Sequence, residues 1–219
     1  MTKALVLDFG GVISKTLFET HDLSENALGL ASGTLDWRGP FDPATDAPWR
    51  AMQAGEMTER DYWTLRMTET GALVGETWTE FPQFIARVRG ADPAAVIRPE
   101  ALAAISRAKA DGHRLAILSN ELDLFYGKDF RAKLPFLADF DLIVDATYTG
   151  ILKPDTRAFD FVTDGLGLPA SDCVFVDDQK KNLKGAEAVG MPYVHFDVTQ
   201  PGESYAQALE MLNNEGMPS

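Results

Sequence analysis

Cysteine is nearly absent from this chain: Cys173 is the only one in 219 residues. One cysteine cannot form an internal disulfide, so the fold must rest on packing, and a reducing cytoplasmic location is expected. No run of about 18 apolar residues occurs, which argues against a membrane span. The opening "MTKALVLDFG" lacks the charged, apolar and small-residue sections of a secretory leader, and reads instead as a first strand. Basic residues are the minority, 20 Lys and Arg against 33 Asp and Glu, for a net charge of −13. With no basic stripe there is no footprint for nucleic acid, and an anionic ligand would need positive charge supplied locally. The three histidines, His21, His113 and His195, are scattered and show no ligand spacing. Internal repeats and low-complexity segments are missing too.

What is present is a rhythm. Short apolar runs occur at "ALVLDF" (4–9), "RLAILSN" (114–120), "DLIVDAT" (141–147), "CVFVDD" (173–178) and "PYVHFD" (192–197). They are continuous rather than alternating, the pattern of parallel strands buried on both faces. Helical patterns lie between them. "RPEALAAISRAKADG" has Pro99 at a tolerated first turn and Gly112 as a stop. "DTRAFDFVTDGLG", "KNLKGAEAVGMP" and "ESYAQALEMLNN" follow the same logic. Alternating strands and helices predict an α/β fold with a doubly wound parallel sheet. Residues 15–98 break the rhythm. They hold all four tryptophans, Trp37, Trp49, Trp63 and Trp78, and no convincing strand. Within them "MTERDYWTLRMTETG" has helical spacing, with Thr58 and Asp61 placed to cap it. The expected organisation is a sheet domain made of 1–14 and 99–219, with a mostly helical insert over 15–98 whose tryptophans form its own small core.

Ligands of open α/β sheets bind beyond the carboxyl ends of the strands. There the first run ends on Asp8, the second on Ser119 and Asn120, and the fourth on Asp177 and Asp178. The third is followed by "TYTGILKPD", carrying Lys153. Singly, each has an ordinary role as turn former, solvated lysine or helix-terminal acid. Together they make a chemistry. Carboxylates and a backbone carbonyl suit Mg²⁺. A lysine offsets phosphoryl charge, a serine hydroxyl and backbone N–H groups hold phosphoryl oxygens, and an aspartate can attack phosphorus.

This constellation resembles the haloacid dehalogenase superfamily, whose four motifs are matched in order by "LVLDFGGVI", "ILSN", "GILKPD" and "VFVDDQKKNLKGAEAVGMP". The resemblance implies that 15–98 is a helical cap. Within it, "AGEMTERDYW" resembles the branch holding the phosphatase domain of soluble epoxide hydrolase and the small sugar-1-phosphate phosphatases. By position, Asp8 is implied as nucleophile and metal ligand, the Gly10 carbonyl and Asp178 as further ligands of Mg²⁺, and Asp177 and Asn182 as support. Ser119 and the Asn120 N–H are implied as phosphoryl binders, with Lys153 steadying the phosphoryl group and Asp8. One position departs from the family. Its phosphatases read D-x-D, with the second acid protonating the leaving group, and here that position is Gly10. Three functions therefore stand side by side: a Mg²⁺-dependent phosphatase of a small phosphorylated metabolite, a 2-haloacid-dehalogenase-type hydrolase, and a non-catalytic binding protein. Glycines at 10 and 11 are read as the means by which the turn after Asp8 curls. Neither substrate nor oligomeric state is legible.

Overall fold

The computed structural model describes residues 2–89 and 92–214. Five strands form one sheet: β1 (Ala4–Leu7), β2 (Arg114–Ser119), β3 (Leu142–Asp145), β4 (Cys173–Asp177) and β5 (Tyr193–His195). Their order is β3-β2-β1-β4-β5 and every pairing is parallel. The first strand is thus central, and it is buried throughout. All five expected strands form, each trimmed by one to three residues. The third loses its last two positions because Ala146 and Thr147 begin a short helix, capped by the Asp145 carboxylate accepting from the Thr147 N–H at 2.9 Å.

The chain groups into two compact units. One comprises residues 1–15, 97–123 and 131–219, and contains the sheet. The other comprises 16–96 and 124–130. The second is helical among its described residues: α1 (His21–Leu28), α2 (Ala47–Ala54), α3 (Glu59–Val74) and α4 (Phe81–Arg89), with short 3₁₀ turns before α1, between α1 and α2, and after α4. At the start of α3 the Thr58 hydroxyl accepts from the Asp61 N–H while Asp61 accepts from the Thr58 N–H, a reciprocal capping box. Trp37 and Trp49 are buried with Phe18, Tyr62 and Phe84, and Trp63 and Trp78 pack against that cluster.

Residues 124–130 differ from expectation, since the sequence rhythm assigns them to the sheet. Phe125 stacks on Phe81 with ring centroids 4.3 Å apart, and Tyr126 accepts a hydrogen bond from Arg89 at 3.1 Å. An aromatic run beside an aromatic core gains more by joining it than by remaining a solvated loop. The residues flanking this excursion are tied inside the sheet unit. Arg131 pairs with Asp123 at 2.7 Å and Asp145 at 2.8 Å, and Tyr148 donates to Asp123 at 2.6 Å.

In the sheet unit, α5 (Pro99–Ala110) leads into β2, and α6 (Leu122–Tyr126) opens the excursion. They are followed by α7 (Ala146–Thr149), α8 (Thr156–Leu166), α9 (Lys180–Ala188) and α10 (Pro201–Asn213). Strand side chains alternate between faces. Ala4, Val6, Ala116, Leu118, Cys173 and Phe175 face one way and pack with Phe159 and Val162 of α8 and Leu183 and Ala186 of α9. Helices α5 and α10 meet β2 and β4 without entering that cluster, which puts them on the opposite face. Two covered faces explain why the strands read as unbroken apolar runs. No described helix is long and apolar enough to cross a membrane.

Candidate active site

Register brings the strand ends level. Leu7 sits opposite both Ile117 and Val176, so Asp8 lies one residue beyond β1, Ser119 closes β2 and Asp177 closes β4, all at one edge. The backbone N–H of Asp8 still donates to Val176 O at 2.9 Å, which carries the ladder one step past the strand.

Lys153 is the hub. Its side chain is 1% exposed, with Nζ 2.9 Å from Asp8 Oδ1 and 2.7 Å from Asp177 Oδ2. The Phe175 ring lies 5.3 Å from the ammonium. Asn120 holds this loop in place: its Oδ1 accepts from the Lys153 N–H at 2.7 Å and its Nδ2 donates to Lys153 O at 3.2 Å. A reciprocal side-chain clamp on one residue's backbone fixes where an otherwise flexible lysine begins.

The two adjacent acids differ. Asp177 is fully buried and saturated with donors: Lys153, Asn182 Nδ2 at 3.0 and 3.1 Å, and the Gln179 N–H at 2.8 Å. Asp178 is half-buried, with Gln179 Nε2 at 3.4 Å from Oδ2. His195, at the end of β5, approaches its backbone carbonyl through Nε2 at 3.2 Å. Asp8, Asp177 and Asp178 each offer a carboxylate oxygen within 4.8 Å of the others. A cluster of hard oxygens with no sulfur or imidazole fits a small divalent cation such as Mg²⁺. Burial pushes the Asp8 carboxyl well above its ordinary range; Lys153 opposes the shift and Asp177 adds to it. Two buried carboxylates sharing one lysine leave an excess of negative charge, which a cation at the cluster would offset.

The turn after Asp8 corrects the expectation about its glycines. Gly11 has φ +77°, and a Cβ there would stand 2.7 Å from Asp178 Oδ2, so glycine is required for both conformation and space. Gly10 is different. Its φ of −71° and ψ of 127° are open to any residue, it is exposed, and a Cβ would meet nothing within 4 Å. The turn does not exclude an acid at position 10; the sequence simply has none. The wide turn closes with Ser14 N–H donating to Phe9 O at 2.9 Å.

Each residue singled out from the sequence therefore lies at the same sheet edge or in the loop or helix that follows it: Asp8, Gly10, Ser119, Asn120, Lys153, Asp177, Asp178, and Asn182 in α9. Ser119 is buried, and among the described residues its hydroxyl has no hydrogen-bond partner. Three features had no sequence signal. These are the Asn120 amide clamp, the Gln179 N–H on Asp177, and His195 on the Asp178 carbonyl. The first and last are contacts between separate strand ends, invisible to local spacing, whereas the Gln179 N–H reaches back only two residues within the turn after β4.

The haloacid dehalogenase-like hydrolase family matches residues 2–190. The mouse protein Acyl-CoA dehydrogenase family member 10 is 27% identical over 94% of this chain, which spans only 19% of that relative's length. Protein CbbY of Cupriavidus necator is 29% identical, covering 99% of this chain and 87% of its own. A phosphoglycolate phosphatase of Pectobacterium atrosepticum is 26% identical over 75% of this chain and 68% of its own. Among solved structures, the L-2-haloacid dehalogenase of Xanthobacter autotrophicus shares the fold, with a TM-score of 0.56 and 21% identity over 88% of this chain and 76% of that one. The chain belongs to the haloacid dehalogenase-like hydrolases.

Proposed function

We propose that this hydrolase is a Mg²⁺-dependent phosphatase of a small phosphorylated metabolite, working through an aspartyl-phosphate on Asp8. The observation that carries the reading is the acid pair behind the nucleophile. Asp177 holds Lys153, and Asp178 adds a further carboxylate beside Asp8. Halide displacement needs no such excess of carboxylate, whereas an incoming phosphoryl dianion needs cationic charge beside it.

Asp8, Asp178 and the Gly10 carbonyl would hold the cation, which when bound would neutralise charge on the phosphoryl oxygens. Asp8 supplies the attacking oxygen: a bond forms from its carboxylate to phosphorus as the bond to the leaving oxygen breaks. Water then hydrolyses the aspartyl-phosphate and regenerates the carboxylate. Lys153 favours the ionised form of Asp8 and aims it, itself anchored by Asp177 and the Asn120 clamp. The Ser119 hydroxyl and the Asn120 N–H bind the remaining phosphoryl oxygens. No side chain at position 10 returns a proton to the leaving oxygen. Substrates whose leaving oxygen departs readily, such as anomeric sugar phosphates, are favoured accordingly. The helical unit acts as the cap that shapes specificity.

Two measurements test this. Phosphate release from an aryl phosphate is expected with Mg²⁺ and not with chelator, while a 2-haloacid yields no halide; the opposite pattern establishes the dehalogenase reading. Because position 10 has room, Gly10→Asp should speed an alkyl phosphate more than an aryl one, within the ~10²–10⁴ range of a positioned general acid. An unchanged aryl-to-alkyl ratio in kcat/KM would mean that another group already supplies the proton.

A further inference from the structure

We propose that Arg98 is a positioning residue for the turn that follows Asp8, and through that turn for the divalent cation; the inference rests on the phosphatase reading above. Arg98 is the second residue of the chain's return to the sheet unit, and it is 2% exposed. Its guanidinium donates twice to one carbonyl: Nε and Nη2 lie 3.1 and 2.9 Å from Gly11 O. Its own N–H donates to Ile13 O at 3.0 Å, and its guanidinium lies 5.4 Å from the Phe196 ring centroid. The neighbouring carbonyl, Val12 O, accepts from the Tyr205 hydroxyl at 3.1 Å, and Ser14 bridges Ile97.

The target of the fork matters. Two donors converging on one oxygen fix the plane of the peptide that follows Gly11. Gly11 is the residue with no room to spare, since its Cα face lies against the Asp178 carboxylate. The Gly10 carbonyl, a proposed ligand, is one peptide earlier. A rotation of the Gly11 peptide would therefore disturb two proposed ligands together. A buried guanidinium is costly to desolvate, and an apolar side chain could fill the same space. Its presence on a backbone carbonyl of this turn points to orientation rather than bulk. Supporting groups of this kind typically change metal affinity by about 10–100-fold when removed.

The test compares wild type with Arg98→Met, which keeps the stem on Phe196, and Arg98→Lys, which keeps the charge but not the fork. Mg²⁺ affinity is measured by calorimetry on the free protein, folding by thermal melting, and kcat and KM with p-nitrophenyl phosphate. Both variants are expected to bind Mg²⁺ about 10-fold or more weakly, with kcat reduced, KM little changed, and kcat partly recovered at high Mg²⁺. A lowered melting temperature with wild-type Mg²⁺ affinity and kcat would make Arg98 a structural brace and overturn the proposal. If Arg98→Met does not fold, Arg98→Lys carries the same comparison. A wild type that binds no Mg²⁺ and releases no phosphate overturns the phosphatase reading as well, whereas an active wild type with unaltered variants overturns this inference alone.

Discussion

Each unit buries an aspartate, Asp46 in the helical unit and Asp8 at the sheet edge, and the two are treated in opposite ways. In the helical unit, Asp46 caps α2 and accepts from Trp49 N–H at 3.0 Å, Gly39 N–H at 3.1 Å, the Tyr62 hydroxyl at 2.9 Å and Arg66. Burial alone would raise its pKa, but these donors hold the carboxyl below its ordinary range. In the sheet unit, Asp8 shares Lys153 with Asp177, and burial drives its carboxyl upward. Donors from the chain itself satisfy Asp46 and make it a structural knot. Around Asp8, Lys153 and the Phe9 N–H oppose the upward shift but do not cancel it. The two share a residue type and differ in the balance between desolvation, which wins at Asp8, and donated hydrogen bonds, which win at Asp46.

The comparison breaks most visibly by mutation of the proposed nucleophile. Asp8→Asn is expected to lower kcat by roughly 10⁴–10⁶, the scale on which removal of a nucleophile acts. Its melting temperature should stay close to wild type, because the substitution relieves crowding with Asp177. Full activity, or a phosphoryl-enzyme trapped on another residue, would end the assignment.

Asp46→Ala should do the reverse. It leaves Arg66 and three other donors buried without their acceptor, a loss of about 3–5 kcal/mol. Chemical denaturation should show that loss, while Mg²⁺ affinity is unaltered. A stable Asp46→Ala protein would mean that the knot contributes little and that the contrast between the two carboxylates is overdrawn.

A smaller effect sharpens the contrast at a third buried polar group. His21 packs edge-on to Trp37 with centroids 4.3 Å apart, and neither ring nitrogen has a hydrogen-bond partner among the described residues. Burial lowers its pKa from 6.5 to about 4; Arg38 assists, while Glu25, Asp22 and Asp36 oppose. An unfolded chain takes up this proton near pH 6.5, but the folded one resists until about pH 4. Stability from this group is therefore complete above pH 6.5 and is lost progressively as the pH falls toward 4. His21→Phe should show a smaller drop in melting temperature between pH 7.5 and pH 5 than wild type. An identical drop in both proteins would remove His21 as its source.

Strand periods and the order of four short motifs were enough to read the parallel sheet and the residues gathered at its carboxyl edge. That legibility has a physical origin. A strand covered on both faces must be apolar throughout, so its end is marked by the first polar residue, and in this fold that end is where ligands bind. Contacts across the edge were decided only by tertiary structure. Asp177 and Asp178 are adjacent in sequence, yet only one meets Lys153, because strand geometry points neighbouring side chains apart. Gly10 and Gly11 look alike as letters. The packing of Asp178 against the turn makes one indispensable and leaves the other open. Residues 124–130 follow the aromatic core they can reach rather than the rhythm they interrupt. Arg98 reaches Gly11 across 87 positions of sequence. Local pattern records which surfaces must be buried; which donor meets which acceptor is fixed only when distant strand ends are packed side by side.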